Sequence, residues 1–412
     1  MIYHTSAPKS LKTKVLLPSS KSISNRALIL NALCNHPEKI NNISTCDDTE
    51  VVIKSLNKDR KNIDIGAAGT AMRFLTAYLS GQKGSYTLTG TERMKNRPIK
   101  ILVDALRSVG AHIEYVEKEG FPPLHIRGQT LKGGEISLDG SVSSQYISAL
   151  LMIAPIMTNG LRLHLTGNVI SGPYINITIR LMRLFGVIVF EEEQTFTIPP
   201  QQYSPVENFT VESDWSAASY WYEMVALCKN DNAAVSLSGL LPDSLQGDAS
   251  IVALFDKLGV KTTFTLSGTI LTKKRQPVSS PFIFDFVSMP DMAQTAVVTC
   301  IMLNIPFRFS GLQSLKIKET DRLNALKTEL HKLGYQLEIR NENTLEWNGK
   351  RCEAESSPVI ATYQDHRMAM AFAPVSLCTE NGIKIADPEV VSKSYPTYWS
   401  DLKKAGFAIT GL

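Results

Sequence analysis

Cysteine and histidine are scarce in this chain, and neither is patterned. The six cysteines, Cys34, Cys46, Cys228, Cys300, Cys352 and Cys378, lie far apart and form no C-x-x-C pair. That spacing speaks against a disulfide framework or a thiol-rich metal site and for reduced, mostly buried thiols. The seven histidines show no H-x-x-x-H spacing, so a dedicated zinc site is not expected. Long apolar runs are missing as well. The most apolar stretch, Tyr146 to Met157, is broken by Ser148 and Pro155 and is too short to cross a bilayer. The opening MIYHTSAPKSLKTKVLLPSSK lacks the apolar core of a signal peptide. No membrane segment is expected, and a cytoplasmic location is. Nor does one sign of charge dominate. Lysine and arginine number 43 against 39 acids, a formal charge of +4, and the basic residues are scattered. This is not the footprint of a nucleic-acid binder, although a small basic excess suits acidic substrates. With 43% apolar and 20% charged residues the chain is an ordinary folded protein, and 412 residues imply two or three domains.

What is present is a repeat. An amphipathic helix ends in a glycine and an alternating strand follows. The pattern appears as LRSVGAHIEYV, LMRLFGVIVFE, LFDKLGVKTTF, LHKLGYQLEIR and LKKAGFAI, with glycines at Gly110, Gly186, Gly259, Gly334 and Gly406. Glycine at a helix end can adopt the left-handed conformation that turns the chain into a strand. The glycines are 76, 73, 75 and 72 residues apart, longer than a solenoid repeat, so each copy should be a small α/β unit. A degenerate first copy is expected through VVIKSLNKDRKNIDI. Each copy holds an earlier helix, starting near Ser24, Gly69, Ser144, Ser216, Asp291 and Asp365. Six copies divide into two lobes of three, with the Pro- and polar-rich segment Pro199 to Phe209 as the expected crossover.

Anion-suited residues collect at the starts of these helices, where backbone N–H groups lack partners and the dipole is positive. Ser20 to Arg26 reads S-K-S-x-S-N-R, Gly66 to Arg73 reads G-A-A-G-T-A-M-R, and Ser143, Ser144 and Gln145 precede Ser171-Gly172-Pro173-Tyr174. Any one serine here can be a simple cap. Four such sites in one half, two with Lys or Arg, point toward phosphate. In the second half Lys316 to Arg322 packs five charges into seven residues before the helix LNALKTEL, and Thr320 or Asp321 could cap it. Asp365-His366-Arg367 opens the otherwise apolar MAMAFAPVSL, and charges at the mouth of a buried helix need partners or a ligand. Asp291 heads the apolar AQTAVVTCIML, where it is either a cap or a catalytic group. Lys393 lies in a loop before Tyr395-Pro396.

Taken in order, S-K-S-x-S-N-R, A-G-T-A-M-R, R-P-I at Arg97 to Ile99, S-S-Q, S-G-P-Y, K-E-T-D-R-L and D-H-R-M-A-M make the chain resemble the 5-enolpyruvylshikimate-3-phosphate synthase family of enolpyruvyl transferases. The resemblance runs from about Pro18 to Pro396, and K-E-T-D-R with D-H-R-M-A-M is its most specific part. It implies an α/β (α+β) fold, a two-lobed inside-out α/β barrel of six repeated units, three per lobe. The expected lobes are residues 14–211, on the shikimate 3-phosphate side, and residues 1–13 with 212–412. It also implies a monomer.

The implied reaction moves the enolpyruvyl group of phosphoenolpyruvate to the 5-hydroxyl of shikimate 3-phosphate and releases phosphate. It needs an acid, a base and charge compensation, with no metal and no redox cofactor. Two phosphates, each near −1.5 to −2, and two carboxylates bring about five to six negative charges together, so a cluster of Arg and Lys is required. By resemblance Lys21, Gly69, Thr70, Arg97, Gln145, Arg322, Arg367 and Lys393 meet phosphoenolpyruvate. Shikimate 3-phosphate meets Lys21, Ser22, Arg26, Ser143, Ser144, Gln145, Ser171, Tyr174, Asp291 and Lys318. Asp291 is the expected base and Glu319 the expected acid, with Lys21 touching both substrates and His366 as an alternative proton shuttle. Substrate binding is expected to close the lobes. Ala67, Phe74 and Ser314 depart from the family's usual Asn, Pro and Asn, which bears on affinity more than on the reaction. The runner-up is the related transferase that acts on UDP-N-acetylglucosamine. Against it, no Cys lies between Cys46 and Cys228, where that family carries a reactive one. A further alternative is a non-catalytic sensor of phosphorylated metabolites, which would need no acid–base set.

Overall fold

The computed structural model describes residues 1–56, 61–275 and 278–412. The chain opens with β1 (Ile2–Ser6) and β2 (Lys12–Leu16). There follow α1 (Lys21–Ala32), α2 (Asp47–Ser55), β3 (Asn62–Asp64), α3 (Gly69–Ser80), β4 (Gly84–Thr89), the short α4 (Glu92–Lys95), α5 (Lys100–Ser108), β5 (His112–Tyr115), β6 (Leu124–Gly128), β7 (Gly134–Asp139), α6 (Ser144–Ile153), β8 (Leu161–Thr166), α7 (Gly172–Leu184), β9 (Phe190–Glu192) and β10 (Thr195–Ile198). The remainder holds α8 (Trp215–Leu227), β11 (Ala234–Ser238), α9 (Ile251–Lys257), β12 (Val260–Thr265), β13 (Gly268–Lys273), β14 (Phe282–Asp285), α10 (Ala293–Met302), β15 (Phe307–Ser310), α11 (Arg322–Lys332), β16 (Glu338–Arg340), β17 (Thr344–Trp347), β18 (Val359–Ile360), α12 (His366–Phe372), β19 (Ile383–Ala386), α13 (Tyr398–Lys404) and β20 (Ala408–Gly411).

Two compact units result, Ser19–Val211 and Met1–Pro18 with Glu212–Leu412. Residues 14–18, expected in the first lobe, belong to the other unit because β2 pairs in parallel with β11. Among the described residues the strands form five four-stranded sheets. In the unit 19–211 they are β3-β4-β6-β5 and β7-β8-β10-β9. In the other they are β12-β13-β11-β2, β14-β15-β17-β16 and β18-β19-β1-β20. Every sheet has one parallel edge pair and two antiparallel pairings. The N-terminal segment thus completes two of them.

The five repeat glycines all adopt positive φ, between 81° and 102°. The paired strand does not always follow at once. After Gly186 it begins only at Phe190, because the Gln201 side chain takes both the N–H and the C=O of Ile188 at 2.9 Å. After Gly334 it begins at Glu338, preceded by the isolated bridge of Tyr335 with Arg351. In the degenerate first copy, α2 and β3 lie on either side of residues 57–60, which fall outside the described residues. Its strand β3 pairs in parallel with β4, and upstream of α2 Asn41 makes a parallel bridge with Thr210.

Five of the helices are buried nearly all round. In α3, α6, α8, α10 and α12 almost every residue is buried. Such a helix must sit inside a core rather than on a face. In the larger unit α8, α10 and α12 pack on one another within one continuous core that includes Trp215, Trp221, Tyr395 and Phe286. The other helices show one buried stripe, as in α5 with Leu102, Val103, Ala105 and Leu106. Gly69 and Thr70 open α3, Ser144 and Gln145 open α6, and His366 and Arg367 open α12. All six cysteines are free thiols; Cys352 and Cys378 are half-exposed rather than buried. Among the described residues, no helix is long and apolar enough to cross a membrane.

Candidate active site

In the unit 19–211, α1 begins at Lys21 rather than near Ser24. Ser20 caps it, its Oγ accepting from the Ile23 N–H at 3.4 Å. Lys21 and Ser22 therefore lie in the first turn. The Lys21 ammonium donates to Asp48 Oδ2 at 3.2 Å, and Asp48 is nearly buried. Arg26 is 3% exposed and spends its donors on neutral oxygens: Thr178 Oγ1 at 2.7 Å, Ser22 O at 2.9 Å, Tyr174 O at 3.2 Å and Ser148 Oγ at 3.3 Å. Its guanidinium lies over the Phe74 ring, 5.2 Å from the centroid. Burial lowers its pKa to about 10. Arg26 thus joins α1, α6 and α7 as a cation whose hydrogen-bond partners carry no charge, an arrangement that favours an incoming anion.

The start of α3 has no side-chain cap. Gln145, in the first turn of α6, donates from Nε2 to Thr70 Oγ1 at 3.2 Å, so two of the expected residues meet. Gly69 is held close to Arg97: a Cβ at Gly69 would stand 2.5 Å from Arg97 Nη1. The Nε of Arg97 is buried without a hydrogen-bond partner, an unsatisfied charged donor of the kind a ligand would fill. Ser143 caps α6, accepting from the Gln145 N–H at 3.4 Å, and Ser144 is buried beside it. Ser171 sits before α7 at φ 58° and makes no cap bond through its side chain, so capping does not account for it.

The other unit gathers the second-half residues into one charged network. Asp291 does not cap α10. It lies in a 3-10 turn, Pro290–Met292, and its carboxylate faces cations. Arg322 Nη1 donates to Asp291 Oδ1 at 2.9 Å, Arg367 Nη2 to Asp291 Oδ2 at 3.1 Å, and Lys318 Nζ stands 3.5 Å from Oδ1. Arg322 Nη2 donates to Glu319 Oε2 at 2.9 Å, and Lys393 Nζ to Glu319 Oε1 at 3.1 Å. One guanidinium therefore holds both expected proton-transfer groups. Asp321 supplies the cap of α11, accepting from the Asn324 N–H at 3.2 Å. Burial alone would raise the proton affinity of Asp291, but Arg367, Lys318 and Arg322 hold it far below the usual carboxylate range. Burial likewise works against the charge on Arg322, and Asp365, Glu319 and Asp291 together raise its pKa above the ordinary arginine value. His366 is buried, its Nδ1 3.8 Å from Asp365 Oδ1.

Sequence reasoning missed four groups that the fold brings in. Asp48 holds Lys21, Thr178 and Ser148 hold Arg26, and Ser216 reaches Arg367 Nη2 at 3.4 Å. Thr178, Ser148 and Ser216 are single hydroxyl residues with nothing in their local sequence to mark them. Asp48 alone carried a signal that could have been followed, since the first turn of α2 gathers Asp47, Asp48 and Glu50.

Comparison with known proteins adds a second line. The chain matches the family described as EPSP synthase (3-phosphoshikimate 1-carboxyvinyltransferase) over residues 5–58 and 52–402. It is 57% identical over 410 residues to the 3-phosphoshikimate 1-carboxyvinyltransferase of Bacteroides fragilis strain YCH46, covering 99% of each chain. It is 36% identical over 427 residues to the protein of that name from Sulfurovum sp. strain NBC37-1, covering 95% of this chain and 96% of the relative. The solved structure of EPSP synthase from Acinetobacter baumannii shares the fold, with a TM-score of 0.77 and 21% identity over the whole of both chains.

Proposed function

Because the chain belongs to the EPSP synthase family, the 3-phosphoshikimate 1-carboxyvinyltransferases, we propose how its own residues divide that family's reaction. The protein is a transferase of aromatic amino acid biosynthesis. It moves the enolpyruvyl group of phosphoenolpyruvate onto the 5-hydroxyl of shikimate 3-phosphate with loss of phosphate. The reading as a UDP-N-acetylglucosamine transferase has no support among its relatives.

The unit 19–211 takes the shikimate 3-phosphate. Its phosphate goes to Ser143, Ser144 and Ser171, and its ring and carboxylate to Ser22, Arg26 and Tyr174. Lys21 serves both substrates, and Gln145 does so alongside Thr70. Arg97 and the Gly69 backbone take phosphoenolpyruvate together with Arg322, Arg367 and Lys393. The finer architecture follows the same reading: an inside-out barrel of six copies in two lobes. Five sheets of one pairing pattern and the helix pair α1 and α2 support it.

Asp291 is the base for the 5-hydroxyl and Glu319 the acid for the methylene carbon, with Lys318 on the Asp291 side. One observation carries this assignment: the two carboxylates hang on separate nitrogens of Arg322, each at 2.9 Å. A protein that only sensed phosphorylated metabolites would need the cations but not this pair. An ionised Asp291 can accept a proton, yet the cations around it make it a weak base. Incoming phosphates and carboxylates compete for those same cations, which raises its proton affinity as the substrates bind. The test is a coupled phosphate-release assay with both substrates. Asp291→Ala and Glu319→Gln should each cut turnover by about 10²-fold or more while binding persists. Near-normal turnover in both variants would refute the assignment, and loss in His366→Gln alone would move the proton route to His366.

A further inference from the structure

Arg367 has a second support that does not pass through Asp291. The segment after β11 folds back on the start of α8. Gln246 Oε1 accepts from the Trp215 N–H at 3.1 Å, and its Nε2 donates to Ser213 O at 2.8 Å. Glu212 Oε1 accepts from Ser244 Oγ at 2.8 Å and from the Leu245 N–H at 3.1 Å. Asp248, two residues beyond Gln246, is thereby set beside Ser216, whose Oγ donates to Asp248 Oδ2 at 2.5 Å. Asp248 is 4% exposed.

A hydroxyl has one proton and two lone pairs, and an ionised carboxylate only accepts. Ser216 must therefore give its proton to Asp248, which turns its lone pairs to the Arg367 Nη2–H at 3.4 Å. The polarity of the chain Arg367–Ser216–Asp248 is fixed from its buried end. The same Nη2 donates to Asp291 Oδ2, and Nη1 donates to the Asp291 carbonyl. Tyr220 on α8 also faces this guanidinium.

We propose that Asp248 is a positioning residue for the reaction, acting through Ser216 to hold the Arg367 guanidinium in place when Asp291 is engaged with substrate. Asp291 is shared among Arg322, Lys318 and Arg367, and as a base it loses its charge at the moment a proton is taken up. Arg367 then keeps one charge-backed contact that the chemistry does not touch. The burial of Asp248 beside Asp291 raises its pKa to about 6, so it is predominantly ionised at neutral pH.

The proposal rests on the assignment of Arg367 to phosphoenolpyruvate, and the experiment separates the two. Asp248→Asn, Ser216→Ala and the double variant are assayed for KM and kcat with each substrate varied. Each single change should raise the KM for phosphoenolpyruvate about tenfold while the KM for shikimate 3-phosphate stays within about twofold. The double variant should be no worse than the worse single one, and Ser216→Thr should restore the normal KM. Should Asp248→Asn fail to fold, Ser216→Ala and Ser216→Thr carry the test. Without substrate, NMR of the Arg367 side chain should show faster rotation about its Cζ–Nε bond in Ser216→Ala than in the parent protein. Unchanged rotation and unchanged KM in Ser216→Ala would overturn the relay. Faster rotation with no effect of Arg367→Lys on the KM for phosphoenolpyruvate would leave the relay standing and overturn the assignment of Arg367.

Discussion

Asp365 grips Arg322 along one edge: Oδ2 accepts from Nε at 2.7 Å and Oδ1 from Nη2 at 3.4 Å, with Asp365 fully buried and Arg322 1% exposed. The same Oδ1 accepts from the Arg367 N–H at 2.9 Å and so caps α12. Asp365 therefore ties the helix that carries Arg367 to the guanidinium that carries Asp291 and Glu319. Asp365→Ala would leave a buried cation short of one partner and a helix without its cap. A loss of about 3–5 kcal/mol is expected from the broken buried pair. Urea unfolding checks it. Arg322→Met added to Asp365→Ala should recover part of the loss, because the buried cation left short of a partner is then gone. A double variant less stable than the single one would contradict this account.

Gly69→Ala separates packing from function in the other unit. The new methyl would come within 2.5 Å of Arg97 Nη1 and 3.0 Å of its Cζ. These atoms end a flexible side chain, so the fold can yield by moving the guanidinium rather than the backbone. Stability should change by less than about 1 kcal/mol. The KM for phosphoenolpyruvate should rise tenfold or more, since a charge-assisted contact displaced by 1 Å loses about 1.5–3 kcal/mol. The KM for shikimate 3-phosphate should move far less. Equal shifts in both would mean that Arg97 does not discriminate between them.

How much of this could be read beforehand differs by kind of contact. The five repeat glycines were legible because a positive φ leaves a residue-type signature, and so were the apolar helices that need an interior. Asp291, Glu319, Arg322 and Arg367 were joined as a group only by the family resemblance; the physical signal was confined to Asp365, His366 and Arg367 at the mouth of a buried helix. Ser216 and Asp248 were not: Ser216 reads only as a helix start, Asp248 stands in no pattern, and only tertiary folding sets them 2.5 Å apart. The pairing of β2 with β11 was hidden for a related reason. About 220 residues of chain separate the paired positions, and nothing in the local alternation of KTKVL names a partner.

Asp248 also makes a prediction about pH. Its folded pKa, about 6, lies above the ordinary 3.8, with burial the main cause and Asp291 and Asp214 adding to it against Ser216 and Arg367. A raised acid binds its proton more tightly when folded. Its stabilising contribution is therefore full below about pH 4 and lost as pH rises through 6. At 1.4 kcal/mol for each tenfold in proton affinity the ionised group costs about 3 kcal/mol at pH 7. Asp248→Asn should be at least as stable as the parent protein at pH 7, and the difference should shrink below pH 4. Thermal unfolding at pH 4, 5, 6 and 7 checks this. A variant that gains stability while its KM for phosphoenolpyruvate worsens is the signature of a group kept for positioning.

Glu223 gives the sharpest case of polarity without compensation. It lies on α8, fully buried, and neither carboxyl oxygen has a hydrogen-bond partner. Burial raises its pKa well above the ordinary 4.5, which favours the neutral acid. Two desolvated oxygens with nothing to bond cost stability, and a methionine of similar length would fill the same space without them. Glu223→Met should raise the unfolding free energy by about 1–3 kcal/mol. The sign with pH follows from the raised pKa: the gap to the parent protein should be smallest below pH 4.5 and widen as pH climbs, because only the unfolded parent chain then gains by ionising. Urea unfolding at pH 4, 6 and 8 reads both effects. A parent protein more stable than the variant at pH 8 would show that Glu223 is satisfied in solution. Phosphate release should be unaltered, since Glu223 makes no hydrogen bond to Asp291, Glu319 or the arginines that hold them.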